Sequence, residues 1–175
     1  MLDRSRALIV IDIQNDYFSG GAFPLWRANE TLAAIEVAVG RAQRLGIPVI
    51  LVQHVVPPRP GVAPFFTEGT SGVEIHPHLL ATAPGAPVVI KAFADSFYKT
   101  TLDETLRGLG AQELLICGMM TQNCVTHTAI SKAAERYKVS VFSDCSTTVD
   151  AMIHNFALRA LAIRVDIAIS TEILA

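Results

Sequence analysis

Leu114-Leu115-Ile116-Cys117-Gly118-Met119-Met120-Thr121-Gln122-Asn123-Cys124-Val125 decides how this chain is read. An apolar run ends at a glycine, a turn follows, and a cysteine opens a helical pattern. α/β proteins place nucleophiles at such strand–turn–helix junctions. A thiol there faces unpaired backbone N–H groups and the positive end of the helix dipole, which lower its pKa. The same N–H groups can bind an oxyanion. The competing reading of Cys124 is a small buried hydrophobe, the commoner fate of a free cysteine.

Working outward, short β-branched runs alternate with helical patterns. Ala7–Asp12, Ile47–Val52, Pro87–Lys91, Glu113–Cys117, Val139–Phe142 and Val165–Ile169 read as six strands. Helices are expected after Asn29 as N-cap, with Leu32, Ile35, Val39 and Ala42 on one face and Gly46 as the stop. Others are expected near Thr101–Leu109, with Thr101 and Glu104 as a capping box, over Cys124–Tyr137, and near Asp150–Ala162. Residues 57–87 are rich in proline and read as one long loop. Strands joined by crossover helices predict a parallel sheet covered on both faces. Ligands bind at the carboxyl ends of such strands, near the switch in strand order.

The 175 residues suit one domain, 1–175, with a sizeable core. Hydrophobic residues make up 51% and charged residues 17%, a globular balance. A formal net charge of −2 gives no reason to expect nucleic acid or an anionic membrane as partner. No apolar run approaches a membrane span, and residues 1–6 lead directly into a strand without a signal-peptide pattern. Three cysteines, at 117, 124 and 145, suggest no disulfide framework and fit a reducing cytoplasm.

Three polar residues stand at the expected carboxyl ends. Asp12 closes the first strand, Lys91 the third, and Cys124 follows the fourth. Singly, Asp12 reads as a turn residue and Lys91 as a solvated charge. Together they meet the needs of one reaction. Asp12 can accept the thiol proton, and a lysine between acid and thiolate would hold both charges.

With these residues goes a family resemblance. Leu8–Phe18, Val89-Ile90-Lys91 with Asp95-Ser96-Phe97 and Thr100-Thr101-Leu102, and Cys117–Val125 with Thr128-Ala129 resemble the motifs of isochorismatase-like cysteine hydrolases along nearly the whole chain. The resemblance implies a three-layer α/β/α sandwich with a mostly parallel, Rossmann-like six-stranded sheet. It implies Asp12 as general base, Lys91 as orienting cation and Cys124 as nucleophile. It also implies a cis peptide at Met119–Met120 that aims the Met120 N–H, beside that of Cys124, at an oxyanion. A homo-oligomer, dimer or tetramer, and hydrolysis of a small-molecule amide, ureide or carbamoyl compound are implied with it. No cofactor is needed.

Isochorismate-cleaving members lack the nucleophilic cysteine, so Cys124 argues against that substrate. Nicotinamidase members carry an Asp-x-His metal pattern after the second strand. Here Val52 fills the aspartate position before His54, so no metal is expected. His54 should border the cleft, and Gln14 either orients loop backbone or meets substrate. Phe18, Trp26, Phe97 and Tyr98 wall an apolar pocket or fill the core. His76-Pro77-His78 resembles a ligand pair, but its loop suits solvent or packing roles better. His127 lies three residues after Cys124, yet its side chain leans over the preceding turn rather than onto the thiol. Arg136 and Asp144-Cys145-Ser146 depart from the family pattern and bear on subfamily. Other functions open to the scaffold are a non-catalytic regulator and a redox-sensing thiol protein.

Overall fold

The computed structural model describes residues 5–58 and 65–175. Residues 1–4, and 59–64 of the proline-rich loop, lie outside the described residues. The element order is β1 (Arg6–Ile11), α1 (Ala28–Leu45), β2 (Val49–His54), α2 (Pro77–Thr82), β3 (Val88–Lys91), α3 (Leu102–Leu109), β4 (Glu113–Met119), α4 (Thr126–Ala129), β5 (Lys138–Thr147), α5 (Ala151–Leu161), β6 (Asp166–Ala168) and α6 (Ser170–Ile173). The strands form one sheet in the order β3-β2-β1-β4-β5-β6. Every pairing is parallel, so the sheet is wholly rather than mostly parallel. The order reverses between β1 and β4, which opens the crevice there.

Alternation along β1 explains the layers. Leu8 and Val10 face one core with Leu32, Ile35 and Val39 of α1 and Leu79 of α2. Ala7, Ile9 and Ile11 face the other with Leu102 and Leu106 of α3, Ala129 of α4 and Leu161 of α5. Both faces of β1 are thus dry, which is why its sequence is continuously apolar. Each such side chain contributes about 1.5–3 kcal/mol on burial. No helix among the described residues is long and apolar enough to cross a membrane.

Several expected boundaries move. Helix α1 starts one residue before Asn29. Its cap is Arg27, in the left-handed region at φ 52°, so Asn29 lies within the helix. Gly46 ends it in a left-handed cap as read. The Thr101–Glu104 capping box does not form, because Thr100 Oγ1 accepts the Leu102 N–H instead. The stretch 57–87 is not all loop. It holds a short 3₁₀ turn at Ser71–Val73 and α2, which has Pro77 at its start and the His76 side chain as cap. The helix expected over Cys124–Tyr137 is broken. A five-residue π-type turn, Thr121–Val125, leads into α4, which stops at Ala129. There Ser131 Oγ donates to Asp95 Oδ2 and accepts the Ala133 N–H, drawing the chain out of helical register. Strand β5 runs on to Thr147, with a register irregularity against β4 between Ile116 and Gly118.

Candidate active site

Asp12 leaves β1 at φ 55°, and its side chain is completely buried. Beside it, β4 comes close enough that only glycine fits. A Cβ on Gly118 would lie 2.1 Å from the Ile11 carbonyl oxygen, and the residue has φ +127°. Strand β4 therefore delivers Met119, Met120 and the turn Thr121–Val125, which carries Cys124, close to Asp12. The Met119–Met120 peptide is cis, as the resemblance implied.

Lys91 ends β3 and reaches past β2 to the same point. Its Nζ lies 2.9 Å from Asp12 Oδ2, with both side chains fully buried. It also meets His54 Nδ1 at 3.3 Å, Phe93 O at 3.1 Å and Ala94 O at 3.3 Å. An ammonium has three protons, which match the ring nitrogen and the two carbonyls, while Asp12 is met as an ion pair. Burial pushes the Lys91 ammonium down, but Asp12 and Cys124 outweigh it and hold it above the ordinary lysine range. Burial likewise pushes the Asp12 carboxyl up. Lys91, then His54 and Cys124, outweigh that and leave it below the ordinary carboxylate range. Neither Asp12 oxygen accepts a hydrogen bond of ordinary geometry among the described residues. The Lys91 contact is an ion pair, and the carboxylate keeps lone pairs for an incoming proton.

Cys124 is 1% exposed. Its thiol is pushed up, first by burial and then by Asp12, with Lys91 opposing. This reverses the expected lowering. The helix behind the cysteine is short, and desolvation next to a carboxylate dominates.

His54, at the end of β2, joins the three directly. Nδ1 is 3.9 Å from Cys124 Sγ and 3.7 Å from Asp12 Oδ2. Asp12, His54 and Cys124 would suit a soft cation by ligand type. Lys91 Nζ already stands against two of them, so the positive charge of this cluster is the lysine's own.

Gln14 is fully buried, and its side chain is spent on backbone. Its Nε2 donates to the His54 and Val73 carbonyls at 2.8 and 2.6 Å, and its Oε1 accepts the His54 N–H at 2.8 Å. Phe18 is buried, with its ring 4.4 Å from that of His76. Trp26 lies near the end of β5, 6.2 Å from the His154 ring. Phe97 is buried and stacks on Tyr137 at 6.4 Å. Tyr98 is exposed and edge-on to Phe93 at 4.9 Å. The structure therefore gathers Asp12, Lys91, Cys124 and His54, while the ring contacts of Phe18, Trp26, Phe97 and Tyr98 are with His76, His154, Tyr137 and Phe93.

Sequence reasoning missed Tyr17, Phe66 and His154. Tyr17 sits 4.5 Å from Phe66, whose ring is 5.9 Å from His54. Its hydroxyl is pushed up, first by burial and then by Asp12 and Cys124. The signal was its place beside Asp12 in sequence: it ends the 3₁₀ turn Asn15–Tyr17 that follows β1, and it is buried. His154 on α5 contacts Thr121 Oγ1 at 2.9 Å and braces the nucleophile turn. It lies on the buried stripe with Ala157 and Leu161, a spacing visible in sequence.

Comparison with known proteins places the chain in a family. A model of the isochorismatase domain matches residues 6–173. The isochorismatase family protein YddQ of Bacillus subtilis (strain 168) is 36% identical over 145 residues, 82% of this chain and 79% of that protein. The ureidoacrylate amidohydrolase RutB of Variovorax paradoxus (strain S110) is 27% identical, covering 86% and 81%. An isochorismatase family protein of Desulfovibrio vulgaris superposes with a TM-score of 0.87 at 25% identity, covering 98% and 97%.

Proposed function

The chain belongs to the isochorismatase family of hydrolases, and on that footing we propose that it cleaves the C–N bond of a small amide, ureide or carbamoyl compound through a thioester on Cys124. One observation carries the reading. A buried carboxylate, a buried ammonium and a buried thiol meet at the carboxyl edge of the sheet, and the carboxylate has unused lone pairs. RutB, named an amidohydrolase, supports the reaction class.

Substrate entering this dry site brings its carbonyl to Sγ. The thiol proton moves to the basic side, with Asp12 as acceptor, and Lys91 balances the thiolate as it forms. Sγ attacks the carbonyl. The N–H groups of Met120 and Cys124 hold the resulting oxyanion, each such donor being worth roughly 3 kcal/mol in comparable sites. Asp12 returns the proton to the leaving nitrogen and the amine departs. Water, deprotonated by Asp12, then opens the thioester, and the proton returns to sulfur. Small-molecule substrates alone are needed.

The proposed enzyme is one domain over residues 1–175, works as a homo-oligomer (dimer or tetramer), and resides in a reducing cytoplasm, which suits three buried free cysteines. The test is ammonia or amine release across a panel of small amides, ureides and carbamoyl compounds, with intact-mass trapping of an acyl adduct. Turnover in the wild type and its loss in Cys124→Ala are expected. Activity surviving in Cys124→Ala would reject the mechanism. Light scattering reads the assembly.

A further inference from the structure

We propose that Thr128 is a positioning residue of the reacting group: its hydroxyl ties the segment that holds Lys91 to the helix behind Cys124, and so sets where the ammonium stands against the sulfur. The inference deepens the thiol-hydrolase reading above and rests on it.

Thr128 follows Cys124 by four residues, on α4, and is completely buried. Its surroundings are apolar: Val125 and Ala129 on its own segment, and Phe97 next to its partner Ser96, belong to one hydrophobic core. A hydroxyl in such a place is costly unless it is bonded, and this one is bonded twice. Oγ1 accepts the Ser96 N–H at 3.0 Å and donates to Ser96 Oγ at 2.8 Å.

Ser96 is itself completely buried, on the segment that leaves β3. Lys91 Nζ turns back onto that segment and donates to Phe93 O at 3.1 Å and Ala94 O at 3.3 Å. Asp95 and Ser96 come next. Asp95 Oδ2 accepts from Ser131 Oγ at 2.8 Å, a second clip to the chain behind Cys124. The Ser96 carbonyl accepts from Thr100 Oγ1, which in turn accepts the Leu102 N–H, so the far end of the segment is tied to α3. The carbonyls that hold the ammonium and the turn that carries the thiol are thus the two ends of one short hydrogen-bonded link.

That link acts on the sulfur through charge. The groups around Sγ are Asp12 from β1, His54 from β2 and Lys91 from β3, with Tyr17 of the turn after β1. Lys91 favours the thiolate and Asp12 opposes it. The attraction weakens as the charges separate. If Thr128 lets go, the Phe93 and Ala94 carbonyls shift, the ammonium moves with them, and the thiolate becomes harder to form.

The test is the pH profile of Cys124 alkylation by iodoacetamide, assigned by peptide mass, in wild type, Thr128→Val and Thr128→Ser. It is read beside kcat and KM on the amide that the panel identifies. Thr128→Val keeps the shape and loses the hydroxyl. Its profile should move to higher pH, with alkylation at neutral pH about tenfold slower, and kcat should fall on the order of 10- to 100-fold with KM little changed. Thr128→Ser keeps the hydroxyl and should stay within about threefold of wild type. An unmoved profile in Thr128→Val would overturn the proposal. So would Thr128→Ser being as impaired as Thr128→Val, because lost packing would then be the cause. Should Thr128→Val fail to fold, Ser131→Ala decides. It removes the second clip, and a shift to higher pH supports the link while an unmoved profile rejects it. Alkylation needs no substrate. A blank ammonia panel with a Thr128-dependent profile would reject the amide reading and keep the link.

Discussion

Lys91 Nζ and Asp12 Oδ2 lie 2.9 Å apart without solvent, so neither can be removed alone cheaply. Asp12→Asn leaves a buried ammonium uncompensated. It should cost about 3–5 kcal/mol of stability, read by thermal melting, besides abolishing activity. Lys91→Arg keeps the charge, but a planar fork cannot share itself among Asp12, His54 and two carbonyls as a rotating ammonium does. Its activity should fall by at least about 100-fold, as small misplacements at a reacting centre do. The pH dependence follows from two opposite shifts. Asp12 is depressed, so its contribution is present above the unfolded carboxylate range and is lost as pH falls through its lower folded value. The Cys124 and Cys117 thiols are raised by burial, so their contribution is whole below about pH 8.5 and is lost above it, where unfolded thiols ionise. Melting temperature should decline on both sides, and Cys124→Ala should soften only the alkaline decline. At this scale Asp12, Lys91 and Cys124 were legible because each ends or follows an apolar strand. The upward push on the Cys124 thiol was not, because desolvation depends on neighbours that sequence does not place.

Elements decide how firmly the reactive turn is held. Thr121–Val125 is tied on several sides: His154 of α5 to Thr121 Oγ1, Thr126 Oγ1 to the Thr121 carbonyl, and Thr148 Oγ1 to Gln122 Oε1. His154→Ala should lower kcat roughly tenfold with KM little changed, at about 1 kcal/mol of stability for the lost contact. His154→Asn, which keeps a polar group near the same place, should recover part of kcat. Gly118→Ala is far harsher. The new Cβ would meet the Ile11 carbonyl at 2.1 Å, and β1 and β4 must part to admit it. A loss above about 4 kcal/mol is expected, read as a melting point at least about 10 °C lower or as insoluble protein. The strands and their order were readable because apolar runs need only local composition. The ends were not. Ser131 reaching Asp95 stops α4, and Thr100 replacing Thr101 caps α3, and both are contacts that periodicity cannot foresee.

Across the molecule, the two cores on either face of β1 bind all six strands to one centre, and a single cooperative unfolding transition in calorimetry is expected. The outer face of α5 carries Met152 and Phe156 one turn apart, both mostly exposed, so Phe156→Glu should shift the proposed oligomer toward monomer in light scattering. The fold class was legible because alternating strands and helices permit few topologies. Assembly was not, since an apolar exposed stripe looks like any amphipathic residue pattern until the buried face is known. The strand order has a further consequence for a chain made from its amino end. Strands β1, β2 and β3 are neighbours in the sheet and complete by residue 91, so the acid, the imidazole and the ammonium can meet while the cysteine is still unsynthesised. Cys124 arrives last of the four, in the turn after β4, the strand that slots in beside β1 from the other side. The onset of thiol reactivity in a growing chain is therefore expected to mark the moment at which the second half of the sheet has docked.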